Sequence, residues 1–191
     1  MADQLPVNFA TPTEGSIASY NYTDVADGTG VIVFYGAITE DDSGSDYILT
    51  TKTTPSRGIA ENRYINQTNS PYDFDLTAFN LPRTVKGTAT AHFEIAVGST
   101  NAVTPTVQVQ KVSNSVVTNV SAVITGPTQA TNAYVYNMDI PLTKTHFKKG
   151  DILRVVVTHN TAADTDINCD PSGERYNALP LQFHIPFDLD L

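Results

Sequence analysis

Hydrophobic and polar residues alternate with a period of two over several long stretches of this chain. The clearest is 179–191, where Leu179, Leu181, Phe183, Ile185, Phe187, Leu189 and Leu191 share one parity and Pro180, Gln182, His184, Pro186, Asp188 and Asp190 take the other. Successive side chains of a strand point to opposite faces, so this pattern predicts a strand with one buried face. Its two prolines cannot donate to a ladder, which predicts that at least part of it lies at a sheet edge. The same alternation runs over 85–97 (Val85, Gly87, Ala89, Ala91, Phe93, Ile95, Val97) and 134–142 (Tyr134, Tyr136, Met138, Ile140, Leu142). Segments 17–25, 30–38, 46–53, 72–79, 105–112, 116–125 and 151–159 carry strand chemistry between turn formers and bring the total to about ten strands, with no helix. Residues 30–38 are apolar on both parities, as in a strand covered on both faces. The stretches 55–71 and 160–178 read as the long irregular connections.

Half-apolar strands in one domain bury their faces only against each other. The expected fold is therefore all-β: a single-domain antiparallel β-sandwich, jelly-roll-like, of about eight to ten strands. Residues 1–16, with Pro6 and Pro12, read as an extended N-terminal arm, 17–191 as the domain, and 186–191 as a second segment free to drape over a neighbour. An immunoglobulin arrangement lacks its residues here, since the chain has no Trp and one Cys. No repeat of fixed period and no domain linker interrupts the chain.

Charge adds a constraint. The formal charge of −9 is concentrated at the start: residues 1–51 hold eight acids (Asp3, Glu14, Asp24, Asp27, Glu40, Asp41, Asp42, Asp46) and no Lys or Arg. A nucleic-acid-binding arm needs clustered cations, so no direct nucleic-acid partner is expected. A single cysteine, Cys169, forms no intrachain disulfide and no multi-thiolate metal site. No secretory leader pattern and no 18-residue apolar run is present, so no membrane partner is expected. Without a secretory route the Asn-x-Ser/Thr triplets at Asn21, Asn66 and Asn119 carry no weight.

Candidate chemistry is sparse. Asp164, Asp166, Asn168 and Asp170 place oxygen ligands at the alternating spacing with which a loop wraps a hard cation, so calcium is the one cofactor the sequence raises. Cys169 stands where an EF-hand needs Gly, and Arg175 where it needs a bidentate Glu. A solvated acidic loop competes with that reading, and Glu40, Asp41, Asp42 and Asp46 read as a charged hairpin tip. His92, His146, His159 and His184 never fall at metal-binding spacing, and His92 and His184 take the polar parity of their strands. Tyr134 and Tyr136 read as core, Tyr20 and Tyr22 as candidates to pave one face, and Tyr64, Tyr72 and Tyr176 as loop or loop-flanking residues. No nucleophile elbow, P-loop or dinucleotide fingerprint appears, so no catalytic residue, no organic cofactor site and no enzyme activity is expected.

The segment Phe147-x-x-Gly150-Asp151-x-hydrophobic, followed by an aromatic terminal strand, resembles the late hairpin of jelly-roll domains in virus capsid and capsid-decoration proteins and in trimeric receptor-binding heads. The resemblance covers 134–191. It implies a virion structural protein, such as a bacteriophage decoration or minor capsid protein, made in the host cytoplasm and carried on the capsid surface. Its implied partners are further copies of itself, as in a trimer, and a major capsid protein. Two other readings stand beside it: a major jelly-roll capsid protein of a small virus, and a carbohydrate-binding or adhesin-type sandwich.

Overall fold

A computed structural model describes residues 18–19, 29–41, 44–52, 64–65, 71–159, 165–169 and 179–188. These residues form thirteen strands and no helix: β1 (Ala18–Ser19), β2 (Thr29–Asp41), β3 (Gly44–Thr50), β4 (Tyr64–Ile65), β5 (Tyr72–Leu76), β6 (Arg83–Val103), β7 (Pro105–Ser113), β8 (Val116–Asn119), β9 (Ile124–Thr125), β10 (Gln129–Phe147), β11 (Ile152–His159), β12 (Thr165–Asn168) and β13 (Gln182–Asp188). Hydrogen bonds join them into one mixed sheet in the order β4-β12-β6-β13-β2-β3-β5-β11-β7-β8, with β10 on β6, β1 on β2 and β9 on β7. All pairs are antiparallel except β3 with β5, where Ile48 faces Asp75 and Leu49 faces Leu76. A parallel pair needs a long crossover, which residues 51–71 supply.

The all-β class expected from the alternation is what the chain adopts. Inward parity residues of β6 (Val85, Ala89, Ala91, Phe93, Ile95), of β13 (Phe183, Ile185, Phe187) and of β5, β7 and β11 (Phe74, Val107, Val109, Leu153, Val155, Val157) meet in one buried cluster. Strands far apart in the sheet order share that core, so the sheet curls around it, as strand twist allows. Register shifts adjust the faces. In β10 a bulge between Leu142 and Thr145 reverses the parity, which lets Phe147 enter the core alongside Tyr136, Met138 and Ile140.

The structure departs from the sequence reading at several places, among them strand β4 within the expected connection 55–71 and the break between β8 and β9 within the expected strand 116–125. β13 is not an edge strand, because it lies between β2 and β6. Pro186 is tolerated there since the ladder to β6 shifts register between His184 and Phe187, and Gly87, at φ +91°, leaves the space the proline ring faces. The same strand takes up Pro186–Asp188, so these residues are not part of a free arm. Within the expected loop 160–178, Thr165–Asn168 form strand β12 against β4 and β6. The arm at 1–16 lies outside the described residues.

The Gly150–Asp151 turn ties two regions together. Gly150 takes φ +91°, Asp151 Oδ2 accepts the Lys148 N–H at 2.7 Å, and Phe79 N–H donates to the Asp151 carbonyl at 2.9 Å. Lys111 Nζ pairs with Asp151 at 2.8 Å and lies 5.5 Å from the Phe147 ring centre. Burial pushes the Asp151 carboxyl up, but hydrogen bonds from Lys111, Ser113 and the Lys148 backbone, with the Lys111 charge, outweigh it and hold the pKa at about 2. The motif that resembled a capsid hairpin thus works here as a corner of the sheet.

Candidate functional site

The outward face of β5, β11 and β7 carries a shallow groove of about 590 Å³. Cross-strand register builds it in rows. Arg154 pairs with Asp75 on one side and Gln110 on the other, Val156 with Asp73 and Gln108, and Thr158 with Thr106. Directly opposed side chains on one face are close enough to interact, and here they do. Arg154 Nε and Nη2 donate to the two Asp75 oxygens at 2.6 and 2.7 Å, and Nη1 donates to Asp73 Oδ2 at 2.6 Å. Hydrogen bonding to Asp75, with the charges of both aspartates, raises the Arg154 pKa against the opposing effect of burial.

Amides continue the network across the strands. Gln110 Nε2 lies 2.9 Å from Gln108 Oε1 and 3.3 Å from Asn119 Oδ1, while Gln108 Nε2 donates to the Ser121 carbonyl at 3.2 Å. The Thr106 and Thr158 hydroxyls bond to each other. Pro71, Val117 and Val123 add apolar surface to the lining, and both valines are about half exposed (47% and 55%). One carboxylate, Asp73, and one guanidinium, Arg154, line the groove, and Asp75 holds Arg154 from outside that lining, so the groove offers hydrogen-bond donors and acceptors together. Its lining sets amides, hydroxyls and an ion pair beside apolar surface, an arrangement that can orient a bound molecule by its hydrogen bonds.

A second constellation lies on the outward face of β6 and β13. Gln182 stands opposite His92, and His184 opposite Thr90, so the two histidines are diagonal neighbours. Their ring centres are 4.9 Å apart at an interplanar angle of 52°. Burial, and then the neighbouring His92, lower the pKa of His184. Asn137 of β10 opposes His92 from the other side, and Glu94 Oε2 accepts the Leu179 N–H at 3.1 Å.

Of the loop expected to hold calcium, Asp164 and Asp170 lie outside the described residues. Asp166 and Asn168 sit in extended strand β12, Asn168 is buried, and its carbonyl accepts the Leu181 N–H at 2.8 Å. Among the described residues no three His, Cys, Asp or Glu side chains gather to hold a metal ion. Cys169 is fully buried, and burial of His159 lowers its pKa. Tyr136 is core, as expected, and Tyr134 packs against the core half-buried. Tyr72 packs edge to face against Tyr47 at 5.3 Å, and burial raises the pKa of both phenols. Tyr20, Tyr22 and Tyr176, and the side chain of Tyr64, lie outside the described residues. No helix among the described residues is long and apolar enough to cross a membrane.

The sequence reading missed both constellations. The alternating acids of Tyr72-Asp73-Phe74-Asp75-Leu76 and the lone cation inside Ile152–Val157 were visible signals, but the pairing that joins residues about 80 positions apart was not.

No known protein family and no curated protein sequence matches the chain. Among solved structures, the fold is similar to a CocE/NonD family hydrolase from Staphylococcus aureus at 11% identity and a TM-score of 0.50, over 81% of this chain and 36% of that one. An aminopeptidase from the marine sediment archaeon Thaumarchaeota archaeon (11% identity, TM-score 0.49, 81% and 36% covered) and an α-amino acid ester hydrolase (12%, 0.41, 81% and 31%) are more distant in shape. This chain thus spans about a third of the length of the hydrolases it resembles.

The likeness to the CocE/NonD family hydrolase corrects the functional expectation. The structure that shares the fold is a hydrolase and not a capsid protein, which overturns the virion resemblance and, with it, the decoration-protein role, the capsid-surface location and the separation from enzymes. The physical reason is that the turn at 147–151 and the alternating aromatic strand specify a sheet corner and a buried face. Neither specifies what the sheet is used for.

Proposed function

We propose that this chain is the all-β unit of a hydrolase-type protein and that its outward groove on β5, β11 and β7 faces the substrate of that enzyme. The observation that supports this is the shared fold, covering 81% of this chain and about a third of a CocE/NonD family hydrolase. The groove supplies what such a unit needs: a guanidinium fixed by two carboxylates, a ladder of amides and hydroxyls, and an apolar rim. Fixed polar groups beside apolar surface orient a bound molecule by its hydrogen bonds.

The test uses the native polypeptide or complex that carries this chain, assayed on chromogenic ester and amide substrates. Hydrolysis is expected, and Arg154→Lys, which keeps the charge but loses the two-pronged contact to Asp75, is expected to raise KM about 10-fold with little change in kcat. A native preparation without ester or amide hydrolysis overturns the reading.

A further inference from the structure

We propose that His92 and His184 form a two-histidine chelate for a divalent late first-row transition ion, with Cu²⁺ bound most tightly. The proposal rests on their juxtaposition and is independent of the hydrolase reading. The two residues are 92 positions apart in the sequence and on different strands, yet the β6–β13 register sets them side by side on an outward face. Two imidazoles on one tetrahedral ion, with metal–nitrogen bonds of about 2.0–2.1 Å, bring their ring centres to about 5 Å. The observed separation is 4.9 Å with the rings tilted by 52° rather than stacked flat.

The surroundings favour the same ligand chemistry. Imidazole binds metal through a neutral nitrogen. Both side chains are half-buried, so the rings are restrained by their neighbours while an ion can still reach them. Gln182 and Asn137 flank His92 in the same row and offer amide oxygens and hydrogen bonds that can orient its ring. No third His, Cys, Asp or Glu joins the pair among the described residues. Among the described residues this leaves coordination positions open to the neighbouring amide oxygens, to water or to a ligand from outside. A site with imidazole donors alone selects by the order in which divalent ions prefer nitrogen, which places Cu²⁺ first and calcium and magnesium last.

The test is calorimetric titration of the whole chain with Cu²⁺, Ni²⁺, Zn²⁺ and Ca²⁺ as simple salts. One equivalent of Cu²⁺ is expected to bind, with Ni²⁺ and Zn²⁺ weaker and Ca²⁺ not detected. His92→Gln and His184→Gln are each expected to weaken Cu²⁺ by about 10²-fold, since either removes the chelate. His146→Gln, at a histidine that instead meets the Thr84 hydroxyl at 3.1 Å, is expected to leave the affinity unchanged. Proton NMR provides a second readout that does not depend on the stability of the variants: in the unsubstituted chain, sub-stoichiometric Cu²⁺ should broaden the ring signals of His92 and His184 before those of His146 and His159. Affinity that survives either substitution, or broadening that begins at another histidine, overturns the proposal.

Discussion

Asp151 contributes to stability in a way that pH can read. Its folded pKa of about 2 lies below the ordinary 3.8, so the fold binds the ionised form more favourably than the unfolded chain does. That stabilisation is complete above about pH 5 and drains away as pH falls through the ordinary value toward 2. After allowance for solvent at the sheet corner it is worth on the order of 1–2 kcal/mol. Asp151→Asn should lose that amount at neutral pH in a urea titration, and the variant's stability should fall less steeply between pH 5 and 2 than that of the unsubstituted chain. Gly36 marks a different constraint. A Cβ there would come within 2.6 Å of Leu181 Cδ2 and 3.1 Å of Phe74 Cε1, both on fully buried side chains. Gly36→Ala should cost about 1–3 kcal/mol through overpacking, measured by thermal or denaturant unfolding. Single-residue chemistry of this kind was partly legible in the sequence. Parity placed His92 and His184 on polar faces, but only the strand register showed that they meet, and the carboxylate partners of Arg154 were hidden for the same reason.

Among the elements, long alternating strands were the easiest to read, because burial of one face imposes period two on the sequence. β6, β10 and β13 were all anticipated, although each extends or stops several residues away from the expected bounds. Prolines misled at β13, where a register shift and the open space at Gly87 remove the penalty that otherwise confines proline to an edge. β12 was missed because four residues are too few to establish a period. The β7–β8 hairpin shows turn chemistry departing from preference: Ser113 pairs with Val116, and Asn114 and Ser115 take φ of 49° and 65°. Both central residues of such a turn need positive φ, which Asn tolerates and Ser does not favour. Ser115→Gly should therefore stabilise the chain by about 0.5–1 kcal/mol, visible as a raised denaturation midpoint with an unchanged slope.

At the scale of the whole molecule, fold class was legible and function was not. Alternation, turn residues and a core-sized set of aliphatic side chains specify a β structure, whereas a groove assembled from Asp73, Gln108, Gln110 and Arg154 exists only after three strands have aligned. The likeness to hydrolases lies in shape at 11% identity, a level at which the chain shares backbone geometry with almost no side chains. Cohesion of the sheet predicts that damage spreads. Phe183 is 1% exposed in the shared core, and Phe183→Ala should cost about 3–5 kcal/mol and lower the unfolding midpoint seen by far-UV and near-UV circular dichroism together. The place of β13 has a further consequence during synthesis. β13 hydrogen-bonds to both β2 and β6, yet it emerges from the ribosome after every other strand described. Until it arrives, two long ladders have open edges facing each other, a state in which nascent chains pair with the wrong neighbour. Co-expression of a holding chaperone should therefore raise the soluble fraction of the chain.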